Sequence, residues 1–223
     1  MKERAKEVLS GLSGVLHRCR FRILLASLLL VLAVQPLAAS GSSFQPLLGV
    51  AFSLVIISGI LAMRRERFLL LVAILLGVPV LIAWWASSLL PFTFAAALIP
   101  ILFFTFFAVF LLRAVVMADE VTSDVIAGAL SVYLLLGLIW SIIYQSIALL
   151  DPSAFNVSSA IAAGGGLDRM DFVYYSFITL ATVGYGDITP AVPLAQSFAY
   201  AEAVTGVLYV AVLVARLVSA YRR

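Results

Sequence analysis

The sequence predicts an all-α membrane protein in which six helices cross the bilayer and one short helix re-enters it ahead of a loop. Three observations carry that expectation. Of 223 residues, 64% are hydrophobic and only 11% charged, a balance that water-soluble domains do not show. Six apolar stretches, 23–39, 46–63, 68–85, 91–116, 125–149 and 194–220, approach the roughly 20 residues that a crossing needs. The basic residues are also one-sided. Six lie in residues 2–22, three at 64–67, one at Arg113 and three at 216–223, which leaves Arg169 alone across a six-span chain. The positive-inside rule makes the crowded side, with both termini, cytoplasmic.

The elements follow in order. Residues 1–22 place Ala5, Val8, Leu9, Leu12, Val15, Leu16 and Cys19 at helical spacing. This suits an amphipathic helix on the inner membrane surface or a cytosolic extension of the first span. Residues 23–116 form a four-helix transmembrane unit joined by short, uncharged outer loops at 40–45 and 86–90. Residues 117–124 are a short acidic linker. Residues 125–223 hold the outer helix, the re-entrant helix with its loop, and the inner helix. The re-entrant segment, 171–181, is too short to cross and needs burial in protein or a water-filled cavity. The loop at 151–167, with its serines and glycines, is expected to be mobile. Within it, Asn156-Val157-Ser158 reads as a chance glycosylation match. The one cysteine excludes an internal disulfide, and His17, the one histidine, reads as a surface residue. No secretory cleavage pattern precedes the first apolar stretch, so that stretch is expected to be a span.

The chemistry concentrates at Thr182-Val183-Gly184-Tyr185-Gly186, a run that resembles the selectivity filter of potassium channels, and it is this resemblance that makes K+ the expected ion. A dehydrated potassium ion needs a cage of oxygens, and backbone carbonyls supply one when successive carbonyls face the same way. That requires left-handed dihedrals at alternate residues, where glycine meets no Cβ penalty, and Gly184 and Gly186 fall on that alternation. The carbonyls of Thr182, Val183, Gly184 and Tyr185, with the Thr182 hydroxyl, are the expected K+ ligands. Val183 and Tyr185 are expected to wedge against the pore helix. Asp168 or Asp171 is expected to cap that helix, whose negative C-terminal end points toward the ion path. Asp187 at the outer mouth should concentrate cations and accept a hydrogen bond from Tyr175. Thr179 is a further support behind the loop.

The last span carries Glu202, the one carboxylate inside an expected span and therefore a candidate by position. Hydrogen bonding to Ser176, Thr179 or a backbone group would make it part of the scaffold, and a pH-sensing gate is the rival role. Gly206, one turn on, reads equally as a gating hinge or as a close packing point. Val207, Val210 and Val214 then line an apolar inner cavity.

From 171 to 216 the chain resembles the pore module of the voltage-gated-like potassium channels. Asp171-Phe172-x-Tyr174-Tyr175-Ser176-Phe177, the five-residue loop, Ile188-Thr189-Pro190 and Glu202-Ala203-x-x-Gly206 carry the resemblance. It is most similar to compact bacterial six-transmembrane channels. Many such channels have two tryptophans where Tyr174 and Tyr175 stand, and some have a glutamate at the place of Ile178. The resemblance implies a homotetramer in the bacterial inner membrane, partnered by lipid and itself, with K+ as permeant ion and no organic cofactor or nucleic acid. Two rivals belong beside it. A voltage-gated channel needs several gating charges, because each gains only about 2.3 kcal/mol per 100 mV, and span four holds Arg113 alone. A potassium transporter subunit would carry four pore repeats in one chain, and this chain carries one. No nucleophile–base pair or metal cluster suggests an enzyme.

Overall fold

A computed structural model describes residues 19–39, 45–63, 66–86, 93–118, 120–159, 161 and 166–221. Its helices are α1 (Arg20–Ala39), α2 (Gln45–Ala62), α3 (Arg67–Trp85), α4 (Phe94–Val116), α5 (Ser123–Leu150), α6 (Arg169–Leu180) and α7 (Pro193–Tyr221). Strand β1 (Phe155–Val157) lies between α5 and α6, and strand β2 (Ile188–Pro190) between α6 and α7. The amphipathic segment expected before residue 19 and most of the two outer loops lie outside the described residues.

Local chemistry explains the helix boundaries. Thr93 and Thr122 cap α4 and α5, their side chains accepting from Ala96 N at 3.2 Å and Val125 N at 3.3 Å. Pro193 opens α7, where its missing N–H would have been unpaired anyway. Asp124, in the first turn of α5, reaches across to α1 and accepts from Phe21 N and Arg22 N, both at 3.2 Å. One carboxylate thus satisfies two orphan donors of a neighbouring helix and ties α1 to α5. Arg22 adds a contact to Ser123 Oγ.

Among the described residues, four helices are long and apolar enough to cross a membrane: α3, the Ala96–Val116 part of α4, α5, and the Pro193–Arg216 part of α7. Helices α1 and α2, of 20 and 18 residues, occupy the places of the first two expected spans. Helices α1 to α4 share one core with α5, built on Leu24, Leu48, Phe103 and Phe107 together with Leu135 and Leu138. In a bilayer such a core gains little from leaving lipid, so close packing must hold it.

The all-α expectation is corrected at one place. Strands β1 and β2 pair antiparallel, with Phe155 opposite Pro190, Asn156 opposite Thr189 and Val157 opposite Ile188. This also corrects the reading of 151–167 as a mobile loop throughout. Ala154 and Phe155 are buried, and Ser158 N and Ala191 N close the ladder ends on Asp187 O and Ala154 O at 2.8 Å each. Buried side chains and paired backbone hold the start of the loop in place.

Candidate functional site

Helix α6 is the platform of the site. Asp168 is its N-cap, accepting from Met170 N at 2.6 Å and Asp171 N at 2.9 Å. Asp171 reaches back to accept from Asp168 N at 2.8 Å. The sequence offered these two residues as alternatives, and the structure uses both as a reciprocal capping box. Aromatic packing fixes the body of the helix. Tyr144 of α5 lies edge-on to Tyr175 at 4.9 Å between ring centroids, and Phe155 lies edge-on to Phe172 and Tyr175 at 5.6 and 5.5 Å. Strand β1 therefore buttresses α6 from behind.

The chain leaves α6 by turning sharply. Ala181 N donates to Phe177 O at 3.0 Å and Thr182 N to Thr179 O at 2.9 Å. Val183 N and Gly184 N then both donate to Ile178 O, at 2.8 and 3.3 Å. The N–H groups of the loop are thereby drawn back toward the helix end. Left-handed dihedrals occur at Thr182 (φ 56°), Gly184 (φ 55°) and Gly186 (φ 83°). The alternation expected from two glycines thus extends to a third residue. Threonine pays about 1–2 kcal/mol for that region. Among the described residues it is the one non-glycine that does so, and strain of this kind gathers at working sites. A backbone that alternates in handedness can turn successive carbonyls to one side.

Val183 and Tyr185 are 51% and 72% exposed within the single chain, and Tyr185 interacts electrostatically with Tyr174 of α6. The hydrogen bonds of the loop use its backbone. One expectation about a side chain is corrected. Asp187 is held by Tyr174 and not by Tyr175. The Tyr174 hydroxyl donates to Asp187 Oδ2 at 2.7 Å, while Ile188 N donates to Oδ1 at 3.1 Å. Consecutive helix residues point about 100° apart. Tyr175 faces inward to Tyr144 and Thr179, which leaves Tyr174 on the loop side.

The Tyr174 phenol is pushed up to about 12, chiefly by its bond to the Asp187 carboxylate and then by partial burial. A raised value means that the contribution of the clamp is complete below the ordinary tyrosine range near 10 and is lost as pH rises through about 12. Tyr174→Phe should therefore weaken the protein by about 1 kcal/mol, equally from neutral pH up to about pH 10. Thermal melts of both proteins across that range check this. A difference that vanishes by pH 9 would contradict the clamp.

Behind the platform, Glu202 of α7 is fully buried, with Ser176 Oγ 2.6 Å from Oε1 and Tyr144 OH 2.5 Å from Oε2. Ser176 was among the partners expected from sequence. Tyr144, 58 residues away, was not, since nothing marks it among the aromatics of α5. Gly206 is a packing point: a Cβ there would stand 2.1 Å from Leu180 O. Val207, Val210 and Val214 are about half exposed on α7. Arg216 donates to Ala118 O at 3.0 Å, tying the end of α7 to the linker before α5. An apolar cavity of about 200 Å³ lies elsewhere, among residues of α2 to α6. No residue of 182–186 lines it, so it is no part of this site.

The C-terminal part of the chain is similar to known proteins. Residues 129–223 match the family described as "Ion channel". Over 80 residues, 35% of the chain, the sequence is 40% identical to Protein LctB of Geobacillus stearothermophilus, covering 59% of that protein. Over 49 residues, 22% of the chain, it is 43% identical to two pore potassium channel c of Oryza sativa subsp. japonica, covering 11% of that protein. The chain thus spans less than two thirds of either relative. No solved structure matches. The C-terminal part of the chain, less than half of its length, is thus similar to an ion-channel domain, and the apolar helices make the protein an integral membrane protein.

Proposed function

We propose that the chain is one quarter of a potassium-selective channel, a homotetramer that conducts K+ passively down its gradient. The alternation of left-handed backbone at Thr182, Gly184 and Gly186 is the observation that carries this reading. It gives a row of carbonyls from Thr182 to Tyr185, with the Thr182 hydroxyl, able to replace the water of a bare K+ ion. One chain supplies one such row, and an enclosing cage needs several. The exposure pattern supports the remainder of the assembly. Only 11% of the α7 window is buried within the chain against 56% for α5, and every residue from 181 to 186 is exposed. In a tetramer, α7 would line the axis with Val207, Val210 and Val214. Val183 and Tyr185 would find neighbours on the adjacent subunit, and four Asp187 carboxylates would ring the mouth. Six crossings, with α1 to α4 as a sensor-like unit and both termini cytoplasmic in a bacterial inner membrane, complete the reading.

Thermal stability tests it. The purified oligomer should sediment as a tetramer and melt at higher temperature in K+ than in Na+. A ligand at 100 times its Kd stabilises by about 2.7 kcal/mol. A monomer, or equal melting in the two salts, would overturn the proposal.

Voltage should open this channel only weakly. The buried face of α4 is Ala97, Phe103, Phe104, Phe107, Ala108, Leu111 and Val115, and Arg113 is exposed in its last turn. With Arg113 the one cationic residue of α4, the conductance–voltage relation should be shallow. A steep relation abolished by Arg113→Gln would contradict that expectation.

A further inference from the structure

The contacts of Glu202 require more hydrogens than its partners possess. Tyr144 OH lies 2.5 Å from Glu202 Oε2, Ser176 Oγ lies 2.6 Å from Glu202 Oε1, and the same Ser176 Oγ lies 2.7 Å from Gly137 O. Each of these three oxygen–oxygen separations is a hydrogen-bond length, and each needs a hydrogen between its atoms. A hydroxyl carries one hydrogen, whereas a backbone carbonyl and an ionised carboxylate carry none. Tyr144 and Ser176 therefore supply two hydrogens for three contacts.

We infer that Glu202 is a proton-binding site shared by α5, α6 and α7, a neutral carboxylic acid whose proton sits on Oε1 and is donated to Ser176 Oγ. The three bonds then run in one direction. Tyr144 donates to Oε2, Oε1 donates to Ser176, and Ser176 donates to the carbonyl of Gly137. With the proton removed, two oxygens less than 3 Å apart would face each other through lone pairs alone, in a place closed to water. All three side chains are 0% exposed, so no solvent replaces the missing donor. The phenols of Tyr144 and Tyr133 on α5 and of Tyr175 on α6 interact electrostatically with Glu202. None of them is a cation that would hold a carboxylate there.

The neutral acid joins three helices without placing a charge in the apolar layer. It acts as a positioning residue. Ser176 lies one turn before Leu180, and Leu180 O is the atom against which Gly206 packs. Helix α7 thus grips the end of α6 at two successive turns, one polar and one by backbone contact, and the loop at 182–186 hangs from that end.

Infrared difference spectroscopy of the full-length protein in detergent or lipid, with glutamate carrying 13C at its side-chain carboxyl, tests the assignment. The wild type should show the C=O stretch of a protonated carboxyl at neutral pH, shifted by the isotope and missing from Glu202→Gln. Glutamine copies the acid, its NH2 donating to Ser176 and its carbonyl accepting from Tyr144. Glu202→Gln should therefore melt within a few degrees of the wild type, and Glu202→Ala well below it. A missing band at neutral pH would overturn the inference, and so would a glutamine variant as unstable as the alanine variant or unable to fold. Neither readout involves ion flow, so a failure here is distinct from a failure of the channel reading.

Discussion

Gly184→Ala should abolish potassium selectivity while leaving the protein folded. A Cβ at residue 184 would touch nothing of the same chain within 4 Å, so the change costs no packing inside the subunit. Its cost lies in the backbone, which holds φ at 55°, a region that charges alanine about 1–2 kcal/mol. Four copies around a shared axis raise this to about 4–8 kcal/mol by the same per-residue figure. Each loop already holds strain of this size at Thr182, and a second strained residue in the same loop favours its flexible alternatives. The loop should relax, turn a carbonyl away from the ion path and lose its preference for K+ over Na+. The caps and the aromatic cluster lie outside the loop, so oligomer size and circular dichroism should not change. Ion-flux assays in liposomes with K+ or Na+ gradients read the selectivity. Intact K+ preference in this variant would mean that the left-handed alternation is not what orders the oxygens.

Gly206→Ala should act in the opposite way, damaging stability first. On helix propensity alone the change is favourable by about 1 kcal/mol. The packing reverses the sign, because the new Cβ would stand 2.1 Å from Leu180 O and 3.0 Å from Leu180 C. The obstacle is backbone at the end of α6, which cannot rotate aside as a side chain would. Overpacking of this kind costs about 1–3 kcal/mol per site. It would also displace α7 from the pore helix, so the variant should melt lower and yield less tetramer. A hinge would behave differently. Alanine in a pure hinge would leave melting unchanged or raised and alter only opening and closing. Melting temperature together with open probability decides between the two roles.

The sequence held more of this site than of its surroundings, for a physical reason. Gly184 and Gly186 declare their backbone by lacking a Cβ, and Asp168 with Asp171 declare a helix start by their chemistry. Thr182 gives no such sign, since threonine is common in extended and turn backbone alike, and its positive φ appears only with the bonds of Val183 and Gly184 to Ile178 O. Glu202 stood out because an acid in an apolar run is costly. Its partner Tyr144 did not, because a tyrosine near a membrane interface is ordinary. The choice between Tyr174 and Tyr175 turned on helix rotation, which two adjacent tyrosines cannot reveal. The β1–β2 ladder was hidden because three-residue strands carry too little pattern, and Phe155 was read as part of a loop.

The role of Thr182–Gly186 as an ion-selective row of carbonyls is tested most directly by current. Purified protein in a planar bilayer, with K+ on one side and Na+ on the other, should pass current that reverses close to the potassium equilibrium potential. Reversal near zero or toward the sodium potential would contradict the account.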